Sequence, residues 1–538
     1  MYNSYQEFYN NFRWTIPGNF NIADYICNNH LGNNNTALIY ENENGEVYTY
    51  TFENLDSLSN QLANYYQYLN VNLGDRIGLL LSQQPETIIS HIAGFKIGAV
   101  NIPLFTLFGP EALAYRLHNS EAKVVIVEEN NLDKVIEIWK DLPHLEWILC
   151  IGNASYDNKR IISFYSAIEQ SSNKFETVSN SADDPALIIY TSGTTGPPKG
   201  ALHAHRVLIG HLPGIQASHN FFPQSGDLFW TPADWAWIGG LIDVLFPSLY
   251  YGIPVLACRF KKFGPEAALE LMARHQVRNV FLPPTALKMM RNVSSADLFR
   301  KVNLRTLACG GESLGEEMLD WGEKTFGVQI NEFYGQTEAN LIVSNCTQIM
   351  PPRPNSMGKP VPGHEVAVID KHGQPVETGE LGEIGVKAGD PVMFLGYWKN
   401  EEATRRKFIN EWLLTGDMAV VDEDGYLYFK GRSDDVITCA GYRIGPAEVE
   451  DCLLKHPAVA LSAVVGKPDS LRGEIVKAFI KLNENYTPND DLKDDIKRFV
   501  KTKLAAHEYP REIDFIDDIP LTVTGKVKRK ELRDTDKS

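Results

Sequence analysis

The sequence predicts an α/β protein: a large N-terminal domain of layered α/β sheets, a β-rich subdomain from about residue 360, and a small α+β unit at the C-terminus. Three observations predict this. Strand-like and helix-like segments alternate through most of the chain, the pattern of βα units on largely parallel sheets. Several apolar runs stop abruptly at loops rich in Gly, Pro, Ser and Thr. Beyond Pro360 the alternation gives way to short β-like runs and turns such as Asp422-Glu-Asp-Gly425. At 538 residues the chain is too long for one core, so two or more domains are expected.

Residues 1–50 are rich in Asn and Tyr, weakly periodic, and read as an irregular extension. Residues 48–52 alternate like a strand, and 55–66 have helical spacing. A strand over 76–81 precedes a helix opened by Pro85 at a first-turn position and running to about Gly98. A strand at 124–127 leads to a helix at 132–139. Three later strands share one design. Residues 277–282 end at Pro283-Pro284, 304–309 end at Gly310-Gly-Glu-Ser313, and 330–334 end at Gly335-Gln-Thr-Glu338. Ligands in open α/β sheets bind beyond the carboxyl ends of strands, so these loops are expected to converge on one site. The domain boundaries expected are 1–431, a connecting 432–435, and 436–538, the last with a helix at 446–454, strands at 459–465 and 477–482, and a helix from about 490 to 504.

Composition narrows the function. Hydrophobic content of 43% and charged content of 22% are ordinary for a folded soluble domain. The net charge of −17 argues against nucleic acid and anionic membrane as partners, so any anionic ligand must meet local cations. The seven cysteines are scattered, with no C-x-x-C pair, which fits inert thiols in a reducing, cytoplasmic setting. The N-terminus has no basic region followed by an apolar core, so no signal peptide is expected. The apolar stretch 235–258 is as long as a membrane span, yet it carries Asp243, Pro247, Pro254 and three glycines and reads as buried core. His203, His205, His211 and His219 are close in sequence but lack the ligand spacing of a zinc site.

The most informative stretch is Tyr190-Thr-Ser-Gly-Thr-Thr-Gly-Pro-Pro-Lys199-Gly200, after the apolar run 186–190. Glycines let backbone approach an anion, N–H and O–H groups point inward, and Lys199 adds a cation. It is not a Walker A loop: Gly193 and Gly196 are too close, and Pro197 and Pro198 remove donors. The stretch resembles the phosphate-binding loop of the adenylate-forming (AMP-binding) enzymes, and further motifs in family order extend the resemblance over nearly the whole chain. The group most similar is that of the medium-chain and acetyl-CoA-synthetase-like acyl-CoA synthetases, through Ser-Asp-Asp…Gly-Tyr-Arg-Ile-Gly-Pro-Ala-Glu and Arg-Gly-Glu-Ile-Val-Lys-Ala-Phe.

The resemblance implies an acid–thiol ligase with ATP, Mg²⁺ and coenzyme A, in which a mobile C-terminal domain rotates between adenylate formation and thioester formation. It implies that Thr191, Ser192, Gly193, Thr194, Thr195, Gly196 and Lys199 hold phosphates, and that Gly311, Glu312 and Ser313 lie along the adenine. Of Tyr334, Gly335, Gln336, Thr337 and Glu338, the aromatic would meet adenine, Thr337 the α-phosphate and Glu338 the magnesium ion, which favours one or two carboxylates plus phosphate oxygens. Asp417 and Arg432 would take the ribose, Arg443 a phosphate, and Asp434 would be the hinge. Ala440, Gly441, Tyr442, Arg472 and Tyr509 would face CoA, with surface ion pairing a serious competitor for Arg472. Lys526 would bridge the attacking carboxylate and the α-phosphate and stabilise the charge built there, and its acetylation would remove that charge.

For the acid, the family's acyl-pocket region falls on Trp235, Trp237, Ile238 and Gly239, with Gly335 standing where acetate-specific relatives carry a tryptophan. An open pocket is therefore expected, for a small-molecule carboxylic acid longer than acetate: a short- or medium-chain fatty acid or an aryl acid. Two other functions stay open: loading of an acid onto a carrier protein, and a non-catalytic nucleotide-binding homologue, against which Thr337, Glu338, Asp417, Arg432 and Lys526 count. A homo-oligomer is compatible with the sequence.

Overall fold

A computed structural model describes residues 2–152, 158–191, 197–311, 314–433, 435–439, 442–469, 472–504, 509–522 and 526–535, with the backbone alone at 438, 442, 443, 448 and 473. Its described residues form four sheets. The first has eight strands, in the order Gly396–Tyr397, Lys199–Ala204, Pro185–Thr191, Val100–Pro103, Arg76–Leu80, Ala122–Glu128, Trp147–Ile151 and Ile161–Ser163. From Pro185–Thr191 onward every pairing is parallel. The strands Ala122–Glu128 and Arg76–Leu80 are buried almost throughout, as parallel strands covered on both faces must be.

The second sheet has nine strands: Lys359–Pro360, Ala339–Ser344, Ile330–Gln336, Thr306–Gly310, Asn279–Phe281, Phe229–Trp230, Val255–Cys258, Thr36–Glu41 and Val47–Thr51. The three expected strand-to-loop units lie side by side and parallel in it, so their carboxyl-end loops share one edge of the sheet. The helix Pro85–Lys96, opened by Pro at its first turn, is buried on all sides. The stretch read as an irregular extension is more ordered than expected. Helices Tyr5–Asn11 and Ile22–Ile26 precede the strand Thr36–Glu41, which pairs parallel with Val255–Cys258. That strand also pairs antiparallel with Val47–Thr51, and its burial does not alternate, so local periodicity was weak there.

The apolar stretch 235–258 folds as short helical turns and one strand inside the core. No helix among the described residues is long and apolar enough to cross a membrane. The third sheet is antiparallel, with strands Val366–Ile369, Gly382–Lys387, Trp412–Val421, Phe408–Ile409 and Leu427–Arg432. The fourth holds Tyr442–Ile444, Ile437–Cys439, Gly473–Leu482, Val459–Asp469 and Glu512–Phe515. Helices Pro446–Leu454 and Asp490–Lys503 belong to this last unit, and their inner faces contribute Val449, Leu453, Ile496 and Val500 to its core.

Candidate nucleotide and acyl site

The site grows from the hairpin Ile330–Gln336 and Ala339–Ser344, where the nine-stranded sheet meets the third sheet. Asp417, 5% exposed, is its polar centre. Its Oδ2 accepts from the Tyr334 hydroxyl at 2.6 Å and from Gln336 Nε2 at 2.8 Å, while Arg432 donates to Oδ1 at 3.1 Å. Asp417 and Arg432 face each other across neighbouring strands, which fixes the pairing by register. Burial beside the Asp417 carboxylate pushes the Tyr334 hydroxyl well above its ordinary range, so it stays a donor.

Gly416 is needed here. Its φ of +78° lies in the left-handed region, and its N–H donates to Glu383 at 2.7 Å. Behind it, Lys407 Nζ lies 3.4 Å from both Gln336 Oε1 and the Thr415 carbonyl. Burial lowers its pKa, and Glu338, Asp417 and Glu383 oppose that lowering.

Glu338, 8% exposed, accepts a hydrogen bond from the Tyr397 hydroxyl. Tyr397 arrives because Gly396–Tyr397 pairs with Lys199–Ala204. The same ring carries Lys199, whose Nζ lies 5.0 Å from its centre. Thr191 and Lys199 are opposite each other in the strands flanking the glycine-rich loop, with Thr191 Oγ1 3.4 Å from the Lys199 carbonyl. Ser192, Gly193, Thr194, Thr195, Gly196, Glu312, Ser313, Asp434, Ala440 and Gly441 lie outside the described residues, as do the side chains of Tyr442 and Arg443.

Beside this cluster Trp237, Pro283, Pro284, Thr285, Gly310, Gly311 and Lys526 line one pocket. Two of the strand-end loops therefore do converge, and a loop from the C-terminal unit reaches them. The Lys526 N–H donates to Thr522 Oγ1 at 3.0 Å, and its carbonyl accepts from Thr522 N at 2.7 Å. Gly311, at φ +106°, passes over the Trp237 ring, 3.7 Å from where a Cβ would stand. Trp237 also packs on Phe281, 5.7 Å between ring centres, and Phe281 on Phe333 at 5.2 Å. Ile238 and Gly239 are buried beside it, and a Cβ on Gly239 would stand 2.8 Å from the Trp237 ring. Trp235 is 1% exposed and lies inside the core of Leu241, Ile242 and Phe246, against which Trp237 also packs.

Thr337 sits in the turn between the hairpin strands. Gly335 does not face empty space: a Cβ there would lie 2.2 Å from Leu341 N. Arg472 pairs with Asp469, at 3.8 Å through its side chain and 2.9 Å through its N–H, which is the ion-pair alternative raised for it. The Tyr509 ring has Lys501 and Arg511 near its face, at 5.3 and 5.1 Å. The four histidines at 203, 205, 211 and 219 are core residues. His219 bonds Thr306 Oγ1 at 2.8 Å, His205 accepts from Ile22 N at 3.2 Å, and His211 bonds the Val207 carbonyl at 2.7 Å. Sequence reasoning did not name Tyr397, Lys407, Phe281 or Asn340. Each reaches the site through strand pairing or packing, and no spacing signal marks them.

Comparison with known proteins agrees with this geometry. The pattern of the AMP-binding enzyme family matches residues 28–398, and that of the AMP-binding enzyme C-terminal domain matches 448–526. The chain belongs to the AMP-binding enzyme family. An acetyl-coenzyme A synthetase of Bacillus subtilis (strain 168) is 35% identical to this AMP-binding enzyme over 98% of the chain and 94% of its own length. The mitochondrial acyl-coenzyme A synthetase ACSM4 of Rattus norvegicus is 34% identical over 96% and 91%. Among solved structures, an acyl-CoA synthetase of Brucella canis aligns with TM-score 0.77 at 31% identity, covering 99% of each chain. The anthranilate CoA ligase AuaEII, bound to anthranoyl-AMP, aligns with TM-score 0.88 at 30% identity, covering 97% of this chain and 98% of its own.

Proposed function

We infer that this AMP-binding enzyme is an AMP-forming acyl-CoA synthetase. A carboxylate oxygen attacks the α-phosphorus of ATP, the bond to the bridging oxygen breaks, and pyrophosphate leaves. The CoA thiolate then attacks the acyl carbonyl of the adenylate, and AMP leaves. The observation that carries this reading is the approach of Lys526 to the Gly311 and Trp237 pocket beside the Asp417 cluster. A cation there bridges carboxylate and α-phosphate as charge builds on the phosphorus oxygens.

Asp417 and Arg432 take the ribose, Tyr334 and Gly311 flank the base, and Thr337 meets the α-phosphate. Lys199 and the residues of the 191–196 loop, with Arg443, hold the phosphates. The donor set fits a magnesium nucleotide, since Glu338 offers hard carboxylate oxygen beside a phosphate-binding cation. Magnesium, when bound, screens the triphosphate charge.

The C-terminal unit is mobile in this reading, turning at Asp434 within a 432–435 hinge. Leu427–Arg432 ends the third sheet and Ile437–Cys439 begins the fourth, which supports that division between 1–431 and 436–538. After rotation Ala440, Gly441, Tyr442, Arg472 and Tyr509 face CoA. The cations around Tyr509 suit its phosphates. The acid is short- to medium-chain, held against Trp237, Ile238, Gly239 and Gly335. The apolar Trp237–Phe281–Phe333 wall supports this, while Trp235 backs the pocket from the core. All seven cysteines are free thiols, in keeping with a reducing, cytoplasmic location. Acetylation of Lys526 would regulate the first step, a reading that mass spectrometry would defeat by finding the modified lysine in fully active protein.

The test is CoA-dependent AMP release with MgATP across straight-chain acids of two to twelve carbons plus benzoate. A peak at three to ten carbons is the expected result. Pyrophosphate exchange without CoA-dependent AMP release would make a carrier protein the acceptor instead.

A further inference from the structure

The space beside Gly335 is taken by the backbone of Asn340 and Leu341 and by one side-chain oxygen. Besides Leu341 N, a Cβ there would lie 2.6 Å from the Asn340 Cα and 2.7 Å from Asn340 Oδ1. Asn340 is 5% exposed. Its Nδ2 donates to Asp243 Oδ1 at 2.7 Å and lies 3.2 Å from His211 Nε2. His211 Nδ1 donates to the Val207 carbonyl at 2.7 Å, so Nε2 offers its lone pair to the amide. Both amide hydrogens are thereby engaged, which assigns nitrogen and oxygen in this carboxamide.

Asn340 Oδ1 is left facing Gly335, and it accepts no hydrogen bond from any described residue. The oxygen is therefore free to accept from a ligand that brings a hydrogen-bond donor.

The anchor is unusual too. Asp243 is 3% exposed, has no Lys or Arg partner among the described residues, and sits on the π-helical turn Leu241–Leu245. Such turns recur at functional sites. Burial raises its carboxyl well above the ordinary range, and the hydrogen bond from Asn340 opposes the shift. The next residue, Val244, shares a cluster with Leu341, Phe281 and Phe333, so the polar trio stands directly behind the aromatic wall.

We propose that Asn340, held by Asp243 and His211, determines acid specificity, and that its carboxamide oxygen selects a short-chain acid carrying a hydroxyl group over the plain alkyl acid. This rests on the acyl pocket lying against Gly335. A site built to receive a hydrogen bond rejects analogues that lack the donor more strongly than an apolar pocket rejects a missing methylene.

The test is the affinity of the full-length protein for non-hydrolysable acyl-sulfamoyl adenosines, comparing butyryl with 3- and 4-hydroxybutyryl forms. Wild type is expected to bind one hydroxylated form up to about 10-fold more tightly than the butyryl form, the net worth of one hydrogen bond. Asn340→Ala should bring the ratio near one, and Asp243→Asn, which keeps the shape of the anchor, should lower it. Equal wild-type affinities, or a preference that survives Asn340→Ala, would overturn the inference. Acyl-CoA formation from plain acids is measured separately, so this inference and the ligase reading fail independently.

Discussion

Tyr397 and Glu338 are joined by a hydrogen bond although 59 residues separate them, and Lys199 stacks on the same tyrosine ring. One aromatic residue therefore orients a carboxylate and supports the cation of the neighbouring loop. Tyr397→Phe keeps the ring and removes the hydroxyl. A hydrogen bond to a charged group contributes about 1.5–3 kcal/mol, so kcat/KM for MgATP should fall about 10- to 100-fold, with a higher magnesium half-saturation in ATP–pyrophosphate exchange. An unchanged magnesium dependence would remove Glu338 from the metal.

Asp417→Asn keeps the shape of the residue that Tyr334 and Gln336 bond, and deletes its charge against Arg432. The KM for ATP should rise by about 10-fold or more while kcat changes less, since a ribose contact acts on ground state and transition state alike. Steady-state kinetics at saturating acid measure this. An unaltered KM would place the nucleotide elsewhere.

Lys526 is exposed, so Lys526→Ala should leave the fold intact. Acid-dependent ATP–pyrophosphate exchange should be abolished, while thioester formation from preformed acyl-adenylate continues near the wild-type rate. Equal loss of both steps would contradict a role confined to adenylate formation.

Glu332 gives a pH signature. Burial raises its carboxyl to about 7, and Asp451 of the C-terminal unit adds to the effect, while the Leu314 N–H opposes it. The folded protein thus holds this proton more tightly than the unfolded chain. The stabilisation is complete below the ordinary carboxyl pKa of 4.5 and is lost as pH rises through about 7. Thermal unfolding of wild type and Glu332→Gln, compared from pH 5 to 8, should show the variant gaining relative stability as pH rises. Each pKa unit corresponds to about 1.4 kcal/mol. A constant difference across that range would assign the proton to another group.

The nucleotide end of the site was legible in the sequence because its residues lie in short, ordered motifs. Asp417 and Arg432 come from separate motifs, yet strand register puts them face to face. Strand-to-loop units around 283, 310 and 335 were legible for the same reason: apolar runs end where the chain must turn. The acyl end was less legible. Gly335 alone suggested open space, whereas Asn340 and Leu341 fold back onto it, with Leu341 at φ +55°. Trp235 and Trp237 look equivalent in sequence, but Trp235 is buried within one core whereas Trp237 lies partly buried between that core and the Phe281–Phe333 cluster. The strand Thr36–Glu41 escaped notice because its burial does not alternate: it is held between the adjacent Val47–Thr51 and Val255–Cys258, more than two hundred positions away.

That remote pairing bears on how the chain is made. The Tyr5 hydroxyl donates to the carbonyl of Pro360, and the Tyr9 hydroxyl to that of His364, each across 355 residues. The first helix leaves the ribosome long before these partners exist. Domains that assemble from distant segments close slowly and expose unpaired edges meanwhile. This helix is thus a late fastening, made well before the partners it docks against.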